Sequence, residues 1–524
     1  MMVESALQGV TSVSIPSTLT KLSGLTPVST NLTLSGYLSF DPGAMLQPAA
    51  GVTITFANAY IDASDFQQIF DLSQGGAIAG SIYNDYHCGV WYGADYTGSS
   101  LTGAAMQAAF DSPLTPNVKL VRGNYDCTGT ELSLVDHHLI CESFRAGGGA
   151  DGVTLKWKSD LGAGAAALSV YSAHAPLNTA KYRGFQITGP GQAGAAPGNV
   201  GCQMDGIIFG NGGNHKFDAK DIFVSGVRFP YTAWCNNGHS SLDNLGSSGN
   251  YATWCILSTG GDWKWTNCSS NAEQRAAFYL PKNGSMGVHA DLDDYFCGYT
   301  PYFAYQSNTF DPRLASTTTA GLTVGSVWNR VACERLGNAF INLVPTDSSV
   351  YQLKLVASGW DALQSNATVI AGEAQDFAIK AGYIEGLDLN DVVDAAGAGT
   401  LAPFKTGVIQ VQNSNSRGIS ACRIHNLNPV GTTFLSGTTK ARIIPQTYNP
   451  PTLTIAAGKT SVSYTALDFE ACSRGNWVPV FRCAQNLGAV TATLTTNGSV
   501  VTITLSAPLS YAVSFTVNLY GPGI

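Results

Sequence analysis

The run ADLDDY, Ala290 to Tyr295, places Asp291 and Asp293 two residues apart, so on an extended strand both carboxylates leave from one face. Cleavage of a glycosidic bond asks for such a pair, with one carboxyl protonated toward the leaving oxygen and the other ionised as nucleophile or base. Glu334, in VACERL, follows Asp293 by 334 − 293 = 41 residues and is expected in the same outward column. Glu273 is the next candidate acid, and Asp205 reads as an outward side chain able to touch the same ligand. Arg275 adds a guanidinium, and Tyr299, Tyr302 and Trp328 add aromatic faces on which a sugar ring can stack. β-Elimination would instead use His289 or Lys264 as base, near a neutralising cation, while His239 reads as ordinary surface. GxSxG, HExxH and P-loop patterns are absent, so serine hydrolase, zincin and nucleotide chemistry have no support. The 12 cysteines form no CxxC pair, and neither a metal nor a cofactor is expected.

These residues sit in a repeating pattern. WKWTNC, Trp263 to Cys268, alternates apolar and polar side chains and then puts Asn267 where a strand would continue. The pattern recurs in FQITGP, CQMDGI, IFVSGV and CRIHNL, and in ADLDDY with Asp at the turn. Looser forms, LKLVASGW and FAIKAGY, carry one extra residue. Gly takes left-handed backbone without steric cost, and Asn or Asp at less cost than other residues. A strand, one left-handed residue and another strand, repeated about every 20 residues, predicts a right-handed single-stranded parallel β-helix. Gly206, Gly226 and Asn267 are the expected left-handed positions, in a common column. Trp263, Trp265 and Cys268 then face the core, as do Cys202, Cys422 and Cys333, while Lys264 and Thr266 face solvent. Stacked rungs lie about 4.8 Å apart. Carboxylates on neighbouring rungs would therefore suit a retaining mechanism, and those two rungs apart fall at or just past the inverting range.

Composition agrees with an all-β chain: 524 residues, 58 Gly and only 12% charged side chains. A net charge of −8 without any basic cluster argues against a nucleic-acid partner. No apolar run is long enough for membrane insertion, and MMVESALQGV lacks the features of a signal peptide. The cysteines read as reduced core residues of a protein folded in a reducing cytosol. Residues 1–114 are expected to supply lead-in strands and a capping helix around MQAAFDS, and 115–445 the β-helix. Residues 446–524, after the Pro-rich IIPQTYNPPTLTIAAG, are expected to form an antiparallel β domain for trimerisation or glycan binding, with a hairpin at Asn497-Gly498.

The ordered series GYLSFDPGAMLQPAAGVTITF, FQQIFD, VWYGADYTG, AAMQAAFDS and VKLVRGNYDC resembles the opening of bacteriophage tailspike proteins with a pectate-lyase-like β-helix, over roughly residues 35 to 128. One departure is TGSSLTGAA, where relatives carry an Asp-rich stretch before the helix, and no catalytic role is inferred there. The resemblance implies a homotrimeric virion tail component, made in the host cytoplasm and acting extracellularly. It further implies binding, and commonly depolymerisation, of a bacterial surface polysaccharide (capsule, exopolysaccharide or O-antigen). A phage tail or adaptor protein would be its other partner. Residues 1–34 are too short for the family's large anchoring domain, so the chain is expected to be truncated or to use a small adaptor peptide. Glycoside hydrolysis is the preferred reaction. The alternatives are a polysaccharide lyase and a receptor-binding spike without catalysis, with a bacterial pectin-active enzyme less favoured.

Overall fold

The computed structural model describes residues 19–141, 152–171, 179–191, 201–288, 290–307, 309–314, 321–324 and 327–342. It also describes short strand segments between 349 and 437, and residues 452–465, 478–483, 485–497 and 500–520. The expectations for His289 and Cys422, and for the glycine of the Asn497-Gly498 turn, fall outside these residues. Of Tyr299, Cys333 and Glu334 only the backbone is described. The chain divides into two compact units, residues 1–161 with 166–174 and 180–189, and residues 162–165 with 175–179 and 190–524.

In the first unit the lead-in strands pair in parallel, Leu19–Leu22 with Tyr37–Phe40 and the latter with Thr53–Asp62. The predicted helix is present as Gly103–Phe110 and buries Met106, Ala109 and Phe110. It sits close to the chain at Gly103, where a Cβ would meet the Thr130 side chain at 2.2 Å. Gln107 on this helix substitutes for a neighbouring strand: its Nε2 donates to Ser133 O (2.9 Å) and its Oε1 accepts from Ser133 N (2.8 Å). Backbone groups that an uncovered strand edge would leave unpaired are thereby satisfied. Beyond the helix the strands stack with parallel register, Gly123–Asp126 on Val153–Lys156 and Leu132–Val135 on Ala166–Tyr171.

The second unit is a coil of parallel strands with three walls. The first wall stacks residues 231–233, 252–256, 276–280 and 302–306. The second stacks 214–220, 238–243, 261–266 and 290–293, and the third 222–225, 245–248, 269–271 and 296–297. Parallel pairing continues through strand segments up to Leu435–Gly437. Inward positions carry a stack of rings, with Trp254 against Tyr231 at 4.7 Å and against Phe278 at 6.4 Å between centroids. Trp263, Trp265, Cys202 and Cys268 are all buried, as the alternation requires. The C-terminal part turns antiparallel, in two three-stranded sheets ordered Leu453–Ile455, Val513–Tyr520, Val478–Cys483 and Ser461–Thr465, Val500–Leu505, Ala492–Asn497. Among the described residues no helix is long and apolar enough to cross a membrane.

The rungs turn on left-handed corners, and there are two columns of them. Asp221 (φ 55), Asn244 (φ 56), Asn267 (φ 52) and Asp294 (φ 61) follow in-register positions, spaced 244 − 221 = 23, 267 − 244 = 23 and 294 − 267 = 27 residues. Gly226 (φ 70), Gly249 (φ 71) and Ala272 (φ 54) make the second column, five residues further along each rung. Asn267 and Gly226 are thus both left-handed but belong to different columns. Gly206 corrects the expectation: it lies inside the strand Asp205–Phe209 without a left-handed φ. It is glycine for space, because a Cβ would meet Pro230 O at 2.5 Å.

Candidate functional site

Two outer faces of the second unit bring chemistry-bearing side chains together. The second wall carries a charged ladder. Its outward columns run Asp218, Ser241, Lys264, Asp291 and Lys220, Asp243, Thr266, Asp293, ending at the corner column Asp221, Asn244, Asn267, Asp294. Opposite charges meet along it, Lys220 Nζ with Asp243 Oδ2 at 2.7 Å and Lys264 Nζ with Asp293 Oδ2 at 3.8 Å. Asn244 Nδ2 donates to Asp221 Oδ1 (2.7 Å) and Asn267 Nδ2 to Asp243 Oδ1 (3.1 Å). Burial alone would push the Asp243 carboxyl up, but the bonds from Lys220 and Asn267 outweigh it and hold the group below its ordinary value. His239 is exposed and pairs with Asp262 at 2.8 Å.

The first wall carries an aromatic and guanidinium ladder. Arg228, Tyr251 and Arg275 follow one another up the stack, joined by Tyr251 N to Arg228 O (3.1 Å) and Arg275 N to Tyr251 O (2.8 Å), and Tyr302 N donates to Arg275 O (3.1 Å). Thr232, Cys255, Tyr279 and Tyr305 share the adjoining column. The half-buried rings form a continuous surface: Tyr251 to Tyr279 at 5.8 Å, Tyr279 to Tyr305 at 6.1 Å, and Tyr302 to Tyr305 at 4.8 Å. The Arg275 guanidinium lies 5.0 Å from the Tyr305 ring and 5.9 Å from that of Tyr251, and its Nε donates to Tyr251 Oη at 3.3 Å.

A strap, residues 309–314, closes over part of this wall. Asn283 holds its backbone, donating to Asp311 O (3.1 Å) and Leu314 O (3.2 Å) and accepting from Asp311 N (2.9 Å). Arg313 binds Asp311 through Nε (2.9 Å) and Nη2 (2.9 Å) and reaches Asp205 through Nη1 (2.7 Å). Thr232 Oγ1 also donates to Asp205 Oδ2 at 2.7 Å, and Arg228 Nε lies 3.9 Å from Oδ1. Burial would raise the Asp311 carboxyl, but the bonds and charge of Arg313 more than offset it, and the group titrates low.

Several sequence-based assignments change. Asp205 does not face solvent: its side chain is 1% exposed and serves as the anchor of the Arg313 strap. Glu273 is enclosed at the second corner, accepting from Ser247 Oγ (2.8 Å), Asn250 N (2.9 Å) and Asn250 Nδ2 (3.2 Å). The left-handed Ala272 just before it turns its side chain inward, and burial raises its carboxyl to about 7. Trp328 is buried: it stands in register with inward Leu292, donates Nε1 to Ala290 O (3.1 Å) and packs on Phe303 at 5.5 Å. Glu334 is not in the column of Asp293. Asn329 is, since the rung is 329 − 293 = 36 residues long and not 41, and the Glu334 backbone lies beside Gly298, between the pairs Cys297↔Cys333 and Tyr299↔Arg335. Asp291 and Asp293 do share one face, and Arg275 and Tyr302 do meet on the first wall. Sequence reading missed Arg228, Tyr251, Tyr279 and Tyr305. The steps 251 − 228 = 23, 275 − 251 = 24 and 305 − 279 = 26 were a signal for them, once a rung of 23 to 27 residues replaces one of 20. Among the described residues no group of three or more His, Cys, Asp or Glu side chains is placed to hold a metal ion.

No protein-family model and no curated protein matches the chain. Among solved structures it is similar to the Dettilon tailspike protein, at 11% identity over 83% of this chain and 94% of that one, with a TM-score of 0.41. It is also similar to the phiAB6 tailspike, solved with oligosaccharides of Acinetobacter baumannii surface polysaccharide (10%, 83% and 86%, TM-score 0.33). A third is the A-module of Azotobacter vinelandii mannuronan C-5 epimerase AlgE4 (13%, 68% and 99%, TM-score 0.28). The assignment to the parallel β-helices rests on the chain's own strand register.

Proposed function

We propose that the protein is a bacteriophage tailspike that binds a bacterial surface polysaccharide along the first wall and depolymerises a separate stretch of the polymer with carboxylates of the second. The observation that carries the binding half is the ladder of Tyr251, Tyr279, Tyr302 and Tyr305 with Arg228 and Arg275. Aromatic faces take the C–H faces of sugars, guanidinium groups take their oxygens, and a ladder repeating up the stack suits a repeating polymer. The virion location, the trimer and the tail partner are what the resemblance of the opening motifs to phage tailspikes implies, and they are proposed with it.

For cleavage, Asp291 and Asp293 are the pair we assign, on one strand and one face, with glycoside hydrolysis preferred over elimination. A second reading, adhesion without cleavage, draws on Asp293 being paired with Lys264 and on Glu273 being closed off by Ser247 and Asn250. The test is a panel of purified capsular and O-polysaccharides, followed by binding, new reducing ends and absorbance near 235 nm. Reducing ends without absorbance identify a hydrolase, absorbance a lyase, and binding alone an adhesin. Asp293→Asn is expected to lower turnover at least a hundredfold at unchanged melting temperature. Normal turnover in that variant removes Asp293 from the reaction, and no binding to any member of the panel removes the reading as a whole.

A further inference from the structure

The two arginines of the first wall and the one on its strap are not equally neutralised. Arg313 is held by Asp205 and Asp311, and Arg228 lies 3.9 Å from the same Asp205. Three guanidinium charges against two carboxylates leave 3 − 2 = 1 positive charge, and it falls on Arg275. Among the described residues no carboxylate comes within ion-pair reach of Arg275; its hydrogen bond goes to a phenol through Nε, which leaves Nη1 and Nη2 unused. Its guanidinium is half-buried beside the Tyr251 and Tyr305 rings, in a protein whose net charge is −8. A guanidinium taken partly out of water without an anion is costly, and its two free N–H edges match a carboxylate bidentately.

We infer that the ligand of this wall is an acidic polysaccharide whose sugar carboxylates pair with Arg275 while its rings lie on Tyr251, Tyr302 and Tyr305. Arg228 stands two rungs away in the same column, about 9.6 Å along the stack, with Tyr251 between. A polymer following the column meets guanidinium, ring and guanidinium in turn, but only Arg275 offers an uncompensated charge. The inference rests on the polysaccharide-binding reading and adds the class of polymer.

The experiment takes whichever panel polysaccharide binds, as isolated and after carbodiimide–borohydride reduction of its carboxylates, and measures affinity at low and high salt. Reduction is expected to weaken binding to the parent protein at least tenfold. Arg275→Gln should weaken binding of the native polymer by a similar factor, and carboxyl reduction should then weaken binding to that variant several-fold less than it weakens binding to the parent. Arg275→Lys, which keeps the charge but loses the fork, should fall between them, with melting temperatures checking the fold of both variants. Selection of a neutral polymer from the panel, or equal affinity for native and reduced forms, overturns the acidic class while leaving polysaccharide binding intact. Salt-sensitive binding that ignores carboxyl reduction overturns it too, in favour of a phosphate or sulfate substituent. Failure of every polymer to bind is failure of the underlying reading.

Discussion

Replacing Asp205 by Ala should free the strap without unfolding the coil. The Arg313 side chain is 12% exposed and makes three charge-assisted bonds, one of them to Asp205. Removing that acid deletes the Nη1 bond and leaves Arg228 without its nearest carboxylate. A hydrogen bond to a charged group is worth about 1.5–3 kcal/mol, so the open population of residues 309–314 should rise roughly ten- to a hundredfold. Full global loss is not expected, because the strap can lift away and hydrate Arg313 before the rungs separate. Limited trypsin digestion reads this directly, since cleavage after Arg313 needs the strap open and its rate follows the open population. Mass spectrometry should find faster cutting between Arg313 and Leu314 in Asp205→Ala, and a smaller effect in Asp205→Asn, which keeps an acceptor. Equal cutting rates in parent and variant would refute the latch, and an unchanged rate with a large drop in melting temperature would move Asp205 from the strap to the core.

Glu273 makes stability fall with rising pH. Its folded value, about 7, stands above the ordinary 4.5, so any penalty is absent below pH 4.5 and grows as pH rises through 7, to about 3 kcal/mol in the alkaline limit. Glu273→Gln should flatten the melting profile between pH 5 and 8, and a profile as steep as the parent's would remove Glu273 as its source. At the corner, Asn267→Ala should cost about 1 kcal/mol in a denaturant titration because alanine resists φ 52, whereas Asn267→Gly should cost less. Equal losses in the two variants would mean that the lost bond to Asp243, and not the backbone, sets the cost.

The coil itself was legible because its cause is local. Trp263 and Trp265 alternate with Lys264 and Thr266, and Asn267 supplies the bend, so six residues carry the turn of a rung. The period was harder to read, because Gly226 and Asn267 mark different corner columns, on rungs two apart, and the six-residue pattern does not tell the two corners apart. The site was less legible still. Rungs of 23, 27 and 36 residues defeat constant-step extrapolation, which is how Glu334 was aligned with Asp293 in place of Asn329. Asp205 was misplaced for a non-local reason: the residue that covers it, Arg313, lies 313 − 205 = 108 positions away. Glu273 was misplaced by one local feature, an alanine in left-handed backbone at 272, which composition gives no reason to expect.

Binding on the first wall is tested most directly by adsorption of the polysaccharide to Tyr251→Ala combined with Tyr305→Ala, beside Phe296→Ser on the third wall as control. Loss of ring contact at about 0.5–1.5 kcal/mol each should lower affinity roughly five- to a hundredfold in the double variant, and Phe296→Ser should bind as the parent does. Undiminished adsorption by a properly folded double variant, or loss confined to Phe296→Ser, would place the ligand on another face.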